Sequence, residues 1–245
     1  MIEVRNLTRS FEGRTVLREV SLEIRPGETL AIIGRSGSGK SVLLKHLIGL
    51  LSPDSGDVIV DGESLGSLAY SGLRRVRRKF GVLFQGGALF DSMTAEDNVA
   101  FPLRTLTDLT EREIRIRAAE CLRVVELPDV GPRRPAELSG GMQKRVALAR
   151  AIAAGPSYLL YDEPTSGLDP DTSLTIDDLI QRLDDELGVT SVVVSHDMHS
   201  VLRVADRVGF IHEGDLRWMG PVDELAGADD PVLSRFIRAN EYQIG

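Results

Sequence analysis

The run Gly34-Arg35-Ser36-Gly37-Ser38-Gly39-Lys40-Ser41 follows a short apolar segment, Thr29 to Ile33, and opens an apolar stretch, Ser41 to Leu51, that is closed by Pro53. Strand, glycine-rich turn and helix in that order are the context in which the Gly-x4-Gly-Lys-Ser/Thr pattern carries meaning. The glycines let backbone N–H groups converge on phosphate, and the helix N-terminus adds its positive dipole. Lys40 can reach β- and γ-phosphates, and Ser41 can ligate Mg²⁺. A plain glycine-rich turn explains neither the lysine nor the flanking elements. The pattern commits this part of the chain to an α/β arrangement built around a phosphate site.

The surrounding residues extend that arrangement. Residues 1 to 30 alternate apolar and polar positions (Ile2, Val4; Val20, Leu22, Ile24) around turns at Glu12-Gly13 and Pro26-Gly27, predicting a small antiparallel sheet. Further strands are expected at Val58 to Val60 and Gly81 to Phe84. Between them lie Arg74, Arg75, Arg77, Arg78 and Lys79, a charge run best read as a mostly solvated face. Thr94-Ala-Glu-Asp-Asn98 reads as a helix start, and Thr110 to Leu127 as an amphipathic helix with Ile114, Ala118, Cys121, Leu122 and Val125 at helical spacing. These predict a helical subdomain, over about residues 86–155, inserted into the α/β core.

Strands and helices then alternate: Tyr158 to Tyr161, a helix around Leu174 to Leu187, Ser191 to Val194, a helix near Met198 to Ala205, and Val208 to Ile211. Such alternation favours a largely parallel sheet with crossover helices. The whole of residues 1–245 reads as one domain with a C-terminal tail, 230–245, where Val232, Leu233, Phe236 and Ile237 form an apolar stripe behind Asp230-Pro231. That stripe must bury against the chain's own core or against a neighbouring subunit.

Composition limits the partners. With 37 acidic against 29 basic side chains the net charge is −8, which argues against a general nucleic-acid binder. The one cysteine, Cys121, excludes an intrachain disulfide framework and a cysteine zinc site, and suits a reducing compartment. No apolar run approaches the roughly 18–20 residues of a membrane-spanning helix, and Met-Ile-Glu-Val-Arg alternates like a strand rather than a signal peptide. Any membrane contact is expected to be peripheral.

A second chemical element sits at Tyr158-Leu-Leu-Tyr-Asp162-Glu163, where two acids end an apolar strand at the edge where ligands lie in open α/β sheets. Alone, Asp-Glu at a strand end reads as a turn. Beside a phosphate loop it supplies two roles: Asp162 can hold magnesium through water, and Glu163 can polarise the attacking water.

Three more segments complete the set: Leu138-Ser139-Gly140-Gly141-Met142 before a helix, Ser166-Gly-Leu-Asp169 just after the acids, and His196 closing Val192-Val-Val-Ser. With Gln85 in Leu83-Phe-Gln-Gly and the phosphate loop, they resemble, in order and along almost the whole chain, the ATPase subunit of ATP-binding cassette (ABC) transporters. The resemblance implies a P-loop NTPase core with an N-terminal antiparallel β subdomain and an inserted α-helical subdomain. It implies ATP and Mg²⁺ as cofactors, held by Gly34, Arg35, Ser36, Gly37, Ser38, Gly39, Lys40, Ser41 and Val42.

It also implies catalysis by Glu163 and His196, with Ser41, Gln85 and Asp162 around the metal. A nucleotide would lie sandwiched between two copies, with Ser139, Gly140 and Gly141 of one facing the γ-phosphate held by the other and Asp169 nearby. From the sequence itself, Ser139 is a good N-cap for a helix whose start can receive an anion. Phe11 matches the position where the family stacks an aromatic on adenine, usually a tyrosine; a core phenylalanine explains it equally well. His196-x-x-His199 lacks the further ligands a metal pair needs.

A single cassette without heptads or a cysteine cluster favours a transporter motor working with multispanning permease subunits at the cytoplasmic face of the inner membrane. A cell-division type signalling ATPase shares the same motifs. The segment Gly86-Gly-Ala-Leu-Phe90-Asp-Ser-Met-Thr94, then Asn98-Val-Ala-Phe-Pro-Leu103, is similar to the ATPase of Mla-type phospholipid transport systems, as are Ser139 to Val146 and Asp230 to Phe236. That resemblance implies an MCE-type lipid-binding partner; a polar-solute importer is the alternative. Ala88-Leu89-Phe90 would suit a groove for a short helix of a membrane subunit, or Leu89 and Phe90 would pack inside the helical subdomain.

Overall fold

A computed structural model describes residues 1–241. Its strands are β1 (Ile2–Phe11), β2 (Arg14–Ile24), β3 (Thr29–Ile33), β4 (Ser55–Val60), β5 (Glu63–Ser64), β6 (Phe80–Leu83), β7 (Tyr158–Asp162), β8 (Thr190–Ser195), β9 (Arg207–His212) and β10 (Asp215–Pro221). Its α-helices are α1 (Lys40–Leu47), α2 (Tyr70–Arg77), α3 (Ala95–Leu106), α4 (Glu111–Val124), α5 (Gly140–Ile152), α6 (Pro170–Leu187), α7 (Met198–Val204) and α8 (Pro231–Glu241).

Two sheets organise the chain. The N-terminal strands form an antiparallel sheet of order β2-β1-β4-β5, and its inward residues include Ile2, Val4, Val20, Leu22 and Ile24, the alternation seen in the sequence. The larger sheet has the order β10-β9-β3-β8-β7-β6, parallel from β6 to β9. Strands β3, β7 and β8 are buried along their whole length, because both faces of a parallel sheet are covered. One core packs β1, β2 and α1 on one face, and a second joins the other face to α3, α4, α5 and α6.

Helices α3, α4 and α5 are the expected helical layer. Thr94 caps α3 by accepting from Asp97 N at 3.1 Å, and Thr110 caps α4 in a reciprocal box with Glu113. Ile114, Ala118, Cys121, Leu122 and Val125 are buried, so the spacing was read on the correct face. In the arginine run, Arg74, Arg75 and Arg78 are exposed, while Arg77 bonds the Ile48 and Gly49 carbonyls at 3.1 and 2.5 Å.

Several elements differ from expectation; α2 and β5 are additional, and three further differences have clear local causes. Helix α1 stops at Leu47 rather than near Leu51, because Gly49 turns left-handed (φ 64) and Arg77 takes the freed carbonyls. Helix α6 begins at Pro170, earlier than Leu174, with Asp169 accepting from Thr172 N at 2.9 Å and proline in the first helical position. Strand β10 was not foreseen: Glu213 (φ 50) and Gly214 (φ 89) make a tight turn after β9, and the return strand is only half-buried.

The tail stripe packs on the chain itself. Asp230 accepts from Val232 N and Leu233 N at 2.8 and 2.9 Å, and Leu233 and Phe236 are buried against Val201 and Phe210, with 5.4 Å between the two phenyl centroids. The rest of the 230–245 tail, residues 242–245, lies outside the described residues.

Helix α6 is pinned to three strands by one half-buried carboxyl. Asp184 accepts from Ser191 Oγ at 2.7 Å, Thr29 Oγ1 at 2.9 Å and Tyr161 OH at 3.2 Å. Burial pushes its pKa up to about 6, against the pull of those hydroxyls. A carboxyl with a folded pKa above its unfolded value binds its proton more tightly in the native state. Its stabilising contribution, on the order of 3 kcal/mol, is therefore full below about pH 4 and lost as the pH rises through about 6. Asp184→Asn removes this dependence, so the melting temperature of the wild type minus that of the variant should grow as pH falls from 7.5 to 5. A difference that stays constant with pH would contradict it.

Candidate functional site

The parallel sheet brings four loops to one edge. Ile33 pairs with Ser195, Asp162 with Val194 and Leu83 with Tyr161, so the chain leaves β3, β8, β7 and β6 at nearly the same level. Those exits carry the phosphate loop, His196, Asp162-Glu163 and Gln85. Residues separated by more than a hundred positions meet because their strands end together.

The loop is shaped by what stands behind it. A Cβ on Gly34 (φ 153) would lie 2.2 Å from the Ile211 carbonyl oxygen, and one on Gly39 (φ 108) 2.8 Å from that of Val16. Gly37 is left-handed (φ 78) with open space behind it. The loop is therefore seated against β9 and β2 with room for no side chain at two of its glycines. Ser38 Oγ is buried without a hydrogen-bond partner and lies behind the loop, 2.7 Å from where a Cβ on Gly34 would sit; Ser38 lines not the cavity described below but a neighbouring cleft with Arg14, Thr15 and His212.

Lys40 starts α1 and is 6% exposed; its ammonium donates to the carbonyls of Gly34 at 2.8 Å and Arg35 at 3.2 Å. Burial lowers its pKa, while Glu163 and Asp162 oppose the shift. Ser41 Oγ donates to Asp162 Oδ1 at 2.9 Å. A hydroxyl and a carboxylate so placed, at the first turn of the helix, fit the oxygen ligation that Mg²⁺ takes. Glu163 is buried, with Oε2 2.8 Å from His196 Nδ1 and Oε1 3.8 Å from Lys40 Nζ. The glycine-rich loop at the start of α1 and the buried Lys40 cation, bonded only to main-chain carbonyls, fit a polyphosphate.

A cavity of about 560 Å³ opens over this group, lined by Arg35, Ser36, Gly37, Gly39, Lys40, Ser41, Val42, Gln85, Glu163 and His196. Val16, Phe236, Ala239 and Asn240 line it too, and the sequence reading missed all four. Glu163, His196 and Asn240 also border a cleft of about 800 Å³ between α6 and α7. Phe11 is not a core residue: it is 38% exposed, with Arg9 4.7 Å above its ring, and it does not line the cavity. Val16, on the following strand, occupies the wall instead.

Ser139, Gly140 and Gly141 stand apart at the start of α5, outside this cavity. Ser139 caps the helix as expected, accepting from Met142 N at 3.2 Å, and remains exposed. Asp169 caps α6, and its bonds to Thr172 hold its carboxyl below the ordinary value. Leu89 packs on the helical layer, whereas Phe90 is exposed and lies 4.8 Å from the exposed Phe101 ring. Leu89 thus follows the packing alternative, and Phe90 is left at the surface.

A phosphate loop, a buried acid pair and a histidine on one sheet edge define a nucleotide-hydrolysing P-loop cassette. The ABC transporter family model matches residues 17–166, and the chain belongs to that family. It is 42% identical over 244 residues to the probable ribonucleotide transport ATP-binding protein mkl of Mycobacterium leprae, covering 100% of this chain and 70% of that one. It is 42% identical over 248 residues to the methionine import ATP-binding protein MetN of Caulobacter vibrioides, covering 100% and 74%. It is 40% identical over 238 residues to the intermembrane phospholipid transport system ATP-binding protein MlaF of Haemophilus influenzae, covering 97% and 90%.

Among solved structures, the dimeric post-hydrolysis state of the ATP-binding cassette MJ0796 bound to ADP and Pi superimposes with a TM-score of 0.83 at 36% identity, covering 91% of this chain and 99% of that one. The chain is an ABC transporter ATPase that works on ATP with Mg²⁺. Among the described residues no helix is long and apolar enough to cross a membrane.

Gly34→Ala drives a methyl into the Ile211 carbonyl, whereas Gly37→Ala meets no atom and incurs only the left-handed backbone cost of roughly 1–2 kcal/mol. Titration with a fluorescent ATP analogue should show Gly34→Ala losing well over tenfold in affinity and Gly37→Ala about tenfold or less. Equal losses would mean that the backing strands do not shape the loop.

Proposed function

We propose that this chain is the motor of a phospholipid transport system, acting as one of two copies that close on ATP beneath a multispanning permease. The observation that carries the hydrolytic assignment is the buried Glu163 carboxylate, held between His196 at 2.8 Å and Lys40 at 3.8 Å beside the phosphate loop. In this reading Glu163 polarises the attacking water, and His196 orients that carboxylate and contacts the γ-phosphate. Lys40 leaves its two carbonyl partners for the β- and γ-phosphates. Ser41, Asp162 through water, and Gln85 hold Mg²⁺, which when bound neutralises charge on the phosphate oxygens. Ser139, Gly140 and Gly141 of the second copy face the γ-phosphate; the exposure of Ser139 and Gly140 and the position of all three outside their own chain's cavity support that assignment.

The cargo assignment is supported by the Gly86 to Leu103 segment together with the identity to MlaF. The exposed Phe90–Phe101 pair offers an apolar contact beside Gln85 for a helix of the permease. The chain would sit peripherally at the cytoplasmic face of the inner membrane, with an MCE-type protein as its lipid-binding partner. A second reading, import of a polar solute, is favoured by the 42% identity to MetN against 40% to MlaF.

Glu163→Gln keeps shape and hydrogen bonding but removes the charge, so it should bind ATP near normally while turnover falls by about 10² or more. Lys40→Ala should instead lose nucleotide binding itself. Unchanged turnover in Glu163→Gln would remove Glu163 from the role of base. For the cargo, the native complex should purify with a permease, an MCE-type protein and extractable phospholipid, because acyl chains need shielding from water at about 0.8 kcal/mol per methylene. A complex holding a soluble-solute binding protein and no lipid would establish the second reading.

A further inference from the structure

Helix α5 carries a buried cation that the phosphate chemistry above does not use. Lys144 is 6% exposed, and its Nζ donates to the carbonyl oxygen of Gln85 and, at 3.2 Å, to that of Glu163. Burial lowers its pKa, opposed by the nearby carboxylates of Glu163 and Asp162. A buried ammonium is unfavourable unless it is bonded, and here the partners are two main-chain oxygens of the active-site loops.

Both loops have backbones that need holding. Glu163 is left-handed (φ 51), a conformation an L side chain keeps only where its surroundings fix it. Its N–H donates to Val194 O at 2.8 Å, and its carbonyl accepts from Lys144 and, at 3.3 Å, from Ser166 N. The turn after Gln85 is left-handed at Gly87 (φ 72) and Ala88 (φ 48), and a second cation of α5 takes their carbonyls: Arg150 bonds Gly87 O at 2.8 Å and Ala88 O at 2.7 Å. Thus α5 grips the Gln85 turn with two side chains, and Lys144 extends the grip to the peptide that aims the Glu163 carboxylate.

We infer that Lys144 is a positioning residue for ATP hydrolysis: its ammonium bridges the carbonyls of Gln85 and Glu163 and so fixes the Glu163 carboxylate relative to the phosphate loop. The inference rests on Glu163 as the base. It makes α5, whose first turn carries Ser139, a rigid link between three parts of the site.

Kinetics of the full chain separate positioning from mere packing. Lys144→Met keeps the apolar stem and removes the donors; kcat should fall at least tenfold, while the KM for ATP and nucleotide affinity stay within threefold and the melting temperature holds. Lys144→Arg, which retains charge and donors, should return kcat to within threefold of wild type. Lys144→Met with kcat within threefold of wild type overturns the inference. So does a parallel loss of kcat, ATP affinity and melting temperature that arginine does not repair. If Lys144→Met does not fold, Lys144→Arg decides alone: near-normal kcat supports the bridge, and a tenfold loss in a folded, ATP-binding protein overturns it. Glu163→Gln in parallel distinguishes the two failures. If it stays active, the base is misassigned; if it is inactive while Lys144→Met is fully active, only the Lys144 role falls.

Discussion

The Ile211 carbonyl presses so closely behind Gly34 that no side chain fits there, and this contact sets the position of the phosphate loop. It requires β9 to lie beside β3, which the parallel pairing of Ala31 with Val208 and Ile33 with Phe210 provides. Val16, from the antiparallel sheet, backs Gly39 in the same way. The two sheets therefore act as the two walls of one mould. A loop pressed into it is held at the N-terminus of α1, where the helix dipole favours phosphate, before any ligand binds. The neighbouring strands then deliver Gln85, Glu163 and His196 to the open side.

Within that mould the charges balance locally. Lys40 and Lys144, both buried, face Asp162 and Glu163, both buried. Such a group is costly in desolvation and holds together only because each member has well-placed partners. The lysine bonds are to carbonyl oxygens rather than to carboxylates at short range: Lys40 Nζ stands 2.8 Å from Gly34 O but 3.8 Å from Glu163 Oε1. A cation resting on weaker acceptors can be drawn off by a polyphosphate, whereas one locked into a close ion pair would have to break that pair first. The arrangement keeps Lys40 available and leaves the Glu163 carboxylate free for water.

What the sequence disclosed, and what it hid, follows from the range of the interactions. The phosphate loop, the Asp162-Glu163 strand end and the caps at Thr94, Thr110 and Ser139 are local patterns, and all were legible. The early end of α1 depends on Arg77, distant in sequence, taking its last carbonyls. The start of α6 hid in a polar run because Pro170, usually a breaker, sits where a first turn tolerates it. Strand β10 lacks a strong apolar pattern because it lies at a sheet edge. Lys144 reads in sequence as one more charge on an amphipathic helix, and only the placement of Gln85 and Glu163 beside it shows a buried cation. At Phe11 adenine stacking and core packing read equally well from the sequence, and only the second is excluded: the ring is exposed under Arg9, while Val16 lines the cavity.

The fate of the tail stripe bears on how two copies could meet. Leu233 and Phe236 are buried in the chain's own third core, beside Val201 and Phe210, so those side chains are not available to hold a neighbour. The segments that a nucleotide sandwich would bring together present polar surface: Arg35, Ser36 and Gly37 of the phosphate loop and the turn at Ser139-Gly140 are exposed. Polar loops that face one another gain little by burying area. The cohesion of the proposed pair would then come mainly from the nucleotide, whose negative phosphates meet the loop amides of one copy and the N-terminus of α5 of the other. Loss of the γ-phosphate by hydrolysis weakens that cohesion at its centre. In the proposed pair, closure on ATP and reopening after hydrolysis would then need no large apolar contact to form and break.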